Sequence, residues 1–469
     1  MEIKSGTKRL IIAIVFFQVA LTVAIFALPR AVEALPGEYY VRLQNHPLTA
    51  GVMELVTTPL PAALPVAADV SSQAAPASLP QIPGLEDATL ATATFTPEPA
   101  ATETAIEEAA GGDSGAAATP LPSATPELSP SPTPSPTVEP LPEQASLEGL
   151  SVVKQGFNNC GPANLTIILN FWGNETTQEE AAAYLKPNRE DRNVSPWQIE
   201  EYVNDFTELR ALARSGGELE MVKRFIAAGI PVVIEKGYEP NSTEGWYGHY
   251  LTVYGYDDSR QEIYTRDTNS GPFDGSPRSD SYDDFQYWWQ QFNYTFYVVY
   301  RPEQEGLVHS IIPGQLLDDQ SMWEYTTQVA TQEVSADPGN VFALFNLGVS
   351  QTRLGELTGE AAYYERGAVA FDQARAIGLP PRTLYYEHRP FMAYWKIGRL
   401  ADVLELADAL LATTGGRFVE EIYWFQGHAL AGQGNLAGAR DAYVSALEVN
   451  SNFHPAQQSL DWVNSLLGG

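Results

Sequence analysis

Cysteine occurs once in 469 residues, at Cys160, and histidine only six times. A single cysteine excludes any disulfide within the chain, so whatever folds here is held together by packing alone. Cys/His clusters of metal-ligand spacing are missing, and no metal or cofactor is expected. Basic residues are scarce too: 27 Lys and Arg stand against 58 Asp and Glu, a formal charge of −31. That leaves no basic patch from which to build a phosphate-binding surface, which excludes nucleic acid as a partner class. The same charge favours solubility and disfavours anionic lipid or acidic substrates.

The one thiol sits in Gln155-Gly-Phe-Asn-Asn-Cys160-Gly-Pro-Ala-Asn-Leu, directly before the apolar run Thr166-Ile-Ile-Leu-Asn-Phe-Trp172. Pro162 suits the first turn of a helix, where the N–H it lacks would be unpaired anyway. Cys160 is therefore expected at the positive end of a helix dipole, which stabilises a thiolate. Between residues 146 and 303 the sole histidine is His249, in an alternating stretch that reads as a strand, and the next strand ends on Asp267. Two adjacent strands can place an imidazole beside a carboxylate, with the Cys160 helix packed on them. The imidazole would exchange a proton with sulfur while Asp267 fixes its orientation. Asn269 is a weaker rival for that orienting role. Gln155 could offer an N–H to an oxyanion beside the Cys160 amide. Taken singly, a cysteine is usually a small core residue, a strand histidine a satisfied one and a turn aspartate a cap. Their conjunction carries the chemical reading.

Gln155, Asn159-Cys160-Gly161-Pro162-Ala163, Gly248-His249-Tyr-Leu-Thr-Val-Tyr-Gly255-Tyr-Asp-Asp and Asp267 together resemble the papain-like cysteine peptidases related to bacteriocin-leader (double-glycine) processing domains. The resemblance covers about residues 146–303. It implies an α+β papain-like fold with Cys160 as nucleophile, His249 as general base, Asp267 as its orienting partner and Gln155 as oxyanion donor, acting on a peptide or protein substrate. The Gln155-to-Cys160 gap looks one residue shorter than in the leader-processing members. No transporter segments or nucleotide-binding motif follow, which argues against peptide export as the task. Two rivals remain open: an amidase or transpeptidase using the same site, and a catalytically silent peptide-binding scaffold, for which Cys160→Ala would leave the biological effect intact.

Ahead of this region, Lys4, Lys8 and Arg9 precede Leu10 to Leu28, an uncharged run of nineteen residues. That is close to the ~20 residues needed to span a bilayer. Residues 1–34 are expected to be a transmembrane anchor, or a signal segment cleaved near Val32-Glu33-Ala34 that would leave the protein secreted. Either way the rest is expected to be extracytoplasmic, held at the cell membrane in the first case. Residues 35–56 carry no assignment. Residues 57–145, dominated by Pro, Ala, Thr, Ser and Glu, are expected to form a disordered, partly polyproline-extended linker.

Within 146–303, Thr177-Gln-Glu-Glu180 and Ser195-Pro-Trp-Gln198 are capping boxes that open helices. A helix over Glu218–Ala228, strands through Ile230–Glu235, His249 and Asp267, an aromatic helix over Ser281–Phe292 and a strand over Thr295–Tyr300 complete the α+β layout. Asp267-Thr-Asn269-Ser-Gly271 with Asp274 has the alternating oxygens of a calcium loop but neither its full spacing nor its terminal Glu, so turn chemistry is expected. After a connector over 304–326, residues 327–469 read as an all-α tetratricopeptide-like repeat domain. Small residues (Gly348, Ala374, Gly427, Ala439, Ala446) alternate with large ones (Leu344, Phe371, Tyr423, Tyr443), an insertion falls near Thr358–Arg366, and Phe391–Leu410 is degenerate. Such repeats are expected to bind a protein partner or substrate.

Overall fold

The computed structural model describes residues 140–240 and 245–468, with isolated residues between 18 and 66. The apolar run Leu10–Leu28 falls, apart from Gln18 and Leu28, outside the described residues. Among those described, no helix is long and apolar enough to cross a membrane.

The first half of the described chain runs β1 (Gln144–Ser146), α1 (Cys160–Phe171), α2 (Gln178–Leu185), α3 (Pro196–Phe206), β2 (Arg210–Arg214), α4 (Leu219–Ala227), β3 (Val232–Tyr238), β4 (Tyr247–Asp257), β5 (Glu262–Arg266), β6 (Arg278–Ser281), α5 (Tyr282–Gln290) and β7 (Phe296–Tyr300). The strands form one antiparallel sheet in the order β2-β7-β3-β4-β5-β6. β4 is long enough to pair with β3 along Tyr247–Val253 and then with β1 along Gly255–Asp257. Alternation along β3 and β4 sends Ile234, Leu251 and Val253 into one core and Val233 and Tyr250 into another, so both faces of the sheet are covered.

α1 is buried on every side from Gly161 to Leu169. It lies between the sheet and α2 and α3, with Leu165, Ile168 and Leu169 in one cluster with Ala181, Val203, Val233 and Tyr250. Each such side chain contributes roughly 1.5–3 kcal/mol by leaving water. Thr177 caps α2 in a reciprocal box with Glu180, and Gln198 closes the same loop at Ser195, so both starts follow the sequence signals.

The second half is helical and begins earlier than its composition suggests. The stretch 304–326, expected to be a connector, already holds α6 (Glu305–Ile311) and most of the first turns of α7 (Asp319–Ala336). α8 (Val341–Thr358), α9 (Ala361–Ile377), α10 (Arg389–Lys396), α11 (Leu400–Leu411), α12 (Glu420–Gly432), α13 (Leu436–Val449) and α14 (His454–Leu467) follow, each packed on the next. Within the stretch Thr358–Arg366, Gly359 ends α8 in the left-handed conformation and α9 starts two residues later. Small residues admit large ones. A Cβ on Gly348 would lie 2.4 Å from the Phe371 ring, and one on Gly427 would lie 2.4 Å from Tyr443.

Two pieces of the expected linker are seated on the protein. Leu64 is buried in the main core and the Pro65 carbonyl accepts from the Arg375 Nε at 2.7 Å. At the other end, β1 adds a strand beside β4.

The halves dock through polar contacts as well as apolar ones. Arg192 N donates to Phe418 O at 3.2 Å, Asn346 Nδ2 to Gln290 O at 2.6 Å, and Tyr294 OH to Glu333 Oε1 at 2.6 Å. Between them lies a cavity of about 130 Å³ lined from both sides, by Glu200, Arg214 and Glu235 and by Tyr386, His388 and Glu421 among others.

Candidate active site

Cys160 is the first residue of α1, half-buried, with a first-turn amide that has no intrahelical acceptor. His249 lies near the start of β4, and Asp267 directly follows β5. Pairing of the two strands, with Thr252 opposite Arg266, brings them together. His249 Nε2 stands 3.0 Å from Asp267 Oδ1, both side chains almost wholly buried. Cys160 lies within electrostatic reach of the same imidazole.

The electrostatics follow from these contacts. Burial pushes the Cys160 thiol up, but the hydrogen bond and charge of His249, the Tyr250 amide and the Lys186 ammonium outweigh it and leave it below its ordinary value. Burial pulls His249 down, yet Asp267 and the thiolate lift it to about 9. Asp267, opposed by burial, is held far below the usual carboxylate range by His249, the Ser270 amide and Arg278. Both shifts run toward the charged forms: the thiol is lowered and the imidazole is raised to about 9, each by the other's charge.

Gln155 is drawn in from the opposite side. Its amide N donates to Thr268 O at 2.8 Å and its Oε1 accepts from Thr268 Oγ1 at 2.7 Å, which ties it to the residue after Asp267. Asn269 does not take the orienting place: its backbone N donates to Asp267 Oδ1 and its Nδ2 to Tyr247 OH. The supposed calcium oxygens are otherwise engaged, Asp267 as described and Asp274 by the Ser276 amide at 3.0 Å. Asn241, in the loop before His249, falls outside the described residues, whereas Trp246 of that loop is buried and donates to Gln291 Oε1 at 2.6 Å.

Three supporting residues escape a reading by motif. Asn164, one turn after Cys160 and fully buried, donates from Nδ2 to Cys160 O at 2.9 Å and Tyr250 O at 3.1 Å, while its Oδ1 accepts from Thr252 Oγ1 at 2.8 Å. It fastens the cysteine helix to the histidine strand. Arg278 Nη1 donates to Asp267 Oδ2 at 2.8 Å, from a strand too polar to stand out. Lys186 is buried and donates to Asn158 O at 3.0 Å and Asp191 O at 2.8 Å, pinning the loop ahead of Cys160.

Residues 140–297, about a third of the chain, match the model of the Peptidase_C39 like family. At the level of that family, the region is similar to cysteine peptidases, which are hydrolases. A solved structure from Bacillus anthracis described as a candidate C39-like peptidase aligns at 16% identity and a TM-score of 0.28, over 34% of this chain and 98% of that one. No curated protein matches the chain.

Proposed function

We propose that the chain is a papain-like cysteine peptidase that hydrolyses peptide bonds at Cys160, with His249 and Asp267 completing a triad. The observation that carries this reading is the Asp267–His249 contact of 3.0 Å with the only thiol of the chain within electrostatic reach of the same ring. In this mechanism the Cys160 thiolate attacks the scissile carbonyl carbon, and the oxyanion accepts N–H groups from the Cys160 amide and the Gln155 side chain. The C–N bond breaks as imidazolium His249 gives its proton to the leaving amine. Water then attacks the thioester as it passes a proton to His249, the C–S bond breaks, and the thiolate and a carboxylic acid are released, the acid losing its proton to solvent.

The helical half is proposed as a tetratricopeptide-like array that binds substrate or a protein partner, and the N-terminal run as an anchor that keeps both halves outside the cytoplasm. The test is alkylation of the full chain with iodoacetamide across pH 4–10, wild type against His249→Ala, followed by cleavage of peptide libraries. A thiol that reacts well below its unperturbed pKa of about 8.5, only when His249 is present, supports the enzyme. A thiol that titrates normally overturns it.

A further inference from the structure

The stretch that introduces His249 is packed by residues from the distant helical half. Gly237 and Gly248 face each other in register across β3 and β4. A Cβ on Gly248 would lie 2.6 Å from Phe292 Cζ and 3.1 Å from both Cδ1 and Cδ2 of Tyr386, so the tyrosine ring covers the α-carbon of the residue before His249. Trp246 stacks on Phe292 with centroids 5.8 Å apart and an interplanar angle of 10°, and Tyr386 meets Phe292 edge-on at 5.7 Å. From the helical half, Phe342 reaches Trp246 at 5.5 Å and Arg382 Nη1 donates to Trp246 O at 3.5 Å. Tyr386 is itself held, its N donating to Thr383 O at 3.2 Å, while neighbouring Tyr385 hydrogen-bonds Thr413 Oγ1 at 2.9 Å.

We propose that Tyr386 is a positioning residue for the His249–Cys160 pair, so that the helical half is part of the catalytic unit and not an appended module. The proposal rests on the cysteine-nucleophile reading above. The glycine at 248 makes physical sense in these terms, since any side chain there would displace two aromatic rings. With the Tyr386 ring gone, the start of β4 is free to relax, the imidazole moves relative to sulfur and the ion pair weakens.

The titratable groups within electrostatic reach of Cys160 are His249 and Tyr250 on β4, Lys186 after α2, Glu235 on β3, Tyr297 on β7 and Tyr386. Of these only Tyr386 comes from the helical half. The experiment is the rate of Cys160 carboxamidomethylation against pH in the full chain, for wild type, Tyr386→Phe, Tyr386→Ala and Phe342→Ala, with near-ultraviolet circular dichroism confirming the fold. Tyr386→Ala is expected to move the acid limb of the profile up by about one pH unit, a roughly tenfold slower reaction at pH 6. Tyr386→Phe, which keeps the ring, is expected to restore most of the rate. If Tyr386→Ala does not fold, Phe342→Ala carries the test, with a smaller shift in the same direction. A folded Tyr386→Ala, or in its place a folded Phe342→Ala, with an unchanged profile overturns the inference alone. A wild-type thiol with no depressed limb overturns the catalytic reading and this inference with it.

Discussion

Both halves of the molecule bury histidine, and they treat it in opposite ways. In the helical half, His428 is enclosed by Trp395, Trp424, Phe425 and Tyr443, with Nδ1 donating to the Trp424 carbonyl at 2.9 Å and lying 3.1 Å from the Tyr443 hydroxyl. Burial pulls it down to about 3, and His388 goes the same way against a weaker pull from Glu387. In the sheet-containing half His249 is buried as deeply and is lifted to about 9 by Asp267, 3.0 Å from its Nε2, and by Cys160. Burial alone makes a histidine neutral and structural. A neighbouring negative charge holds the proton on the ring.

The largest test of that contrast is His249→Ala. It should slow alkylation of Cys160 at pH 6 by about 100-fold or more, measured with iodoacetamide under pseudo-first-order conditions. His428→Ala should leave that rate nearly untouched and cost roughly 2–4 kcal/mol of stability through the cavity left among its aromatic neighbours, measured by urea unfolding. If both substitutions act on both readouts, the division between the halves fails.

Next in size is Asn164→Ala. Removing an amide that serves both the Cys160 helix and the His249 strand leaves buried Thr252 Oγ1 and Tyr250 O short of a partner, a cost of roughly 1–3 kcal/mol for each group so stranded. Both unfolding midpoint and alkylation rate should fall, unlike the one-sided effect of His428→Ala.

The pH dependence of stability should separate the two kinds of histidine by sign. His249 is raised, so its contribution is complete below its unfolded value near 6.5 and fades as pH climbs through about 9. His388 and His428 are lowered, so theirs is complete above about 6.5 and fades toward about 3. Asp267 adds to the acid-side loss, because its depressed carboxylate must be protonated there. In the wild type, stability should therefore fall on both sides of neutrality, and His249→Ala should flatten the alkaline side and shrink the part of the acid-side loss that comes from Asp267, which His249 holds down. The smallest effect is expected from Arg278→Gln, which takes one positive charge from beside Asp267 and should raise the alkaline limb of the alkylation profile by about half a pH unit or less.

How much of this was legible depends on whether a residue acts through its neighbours in sequence or in space. Cys160, His249 and Asp267 stand in local signals, a helix start and two strand ends, and the structure brings those three together. Gln155 is also near, though through Thr268. Helix starts at Thr177 and Ser195 were readable because a cap is a local pattern. β2 and β6 were missed: Arg210–Arg214 is a short Arg/Ala strand without β-branched residues, and Arg278–Ser281 is wholly polar. Arg278, Lys186 and Tyr386 matter through contacts that no local pattern announces: Arg278 reaches Asp267 eleven residues back and Lys186 reaches Asn158 twenty-eight residues back, while Tyr386 comes from the other half of the chain. The first turns of the helical half went unread because Pro302 and Pro313 and short polar segments look like a linker.

The solitary thiol also fixes how the protein meets oxidants. A thiolate attacked by peroxide becomes a sulfenic acid, and the usual rescue is condensation with a neighbouring thiol. This chain has none to offer. Oxidised Cys160 must be capped by a thiol from outside or proceed to the sulfinic and sulfonic acids, which do not return, so each molecule carries a single, unguarded fuse.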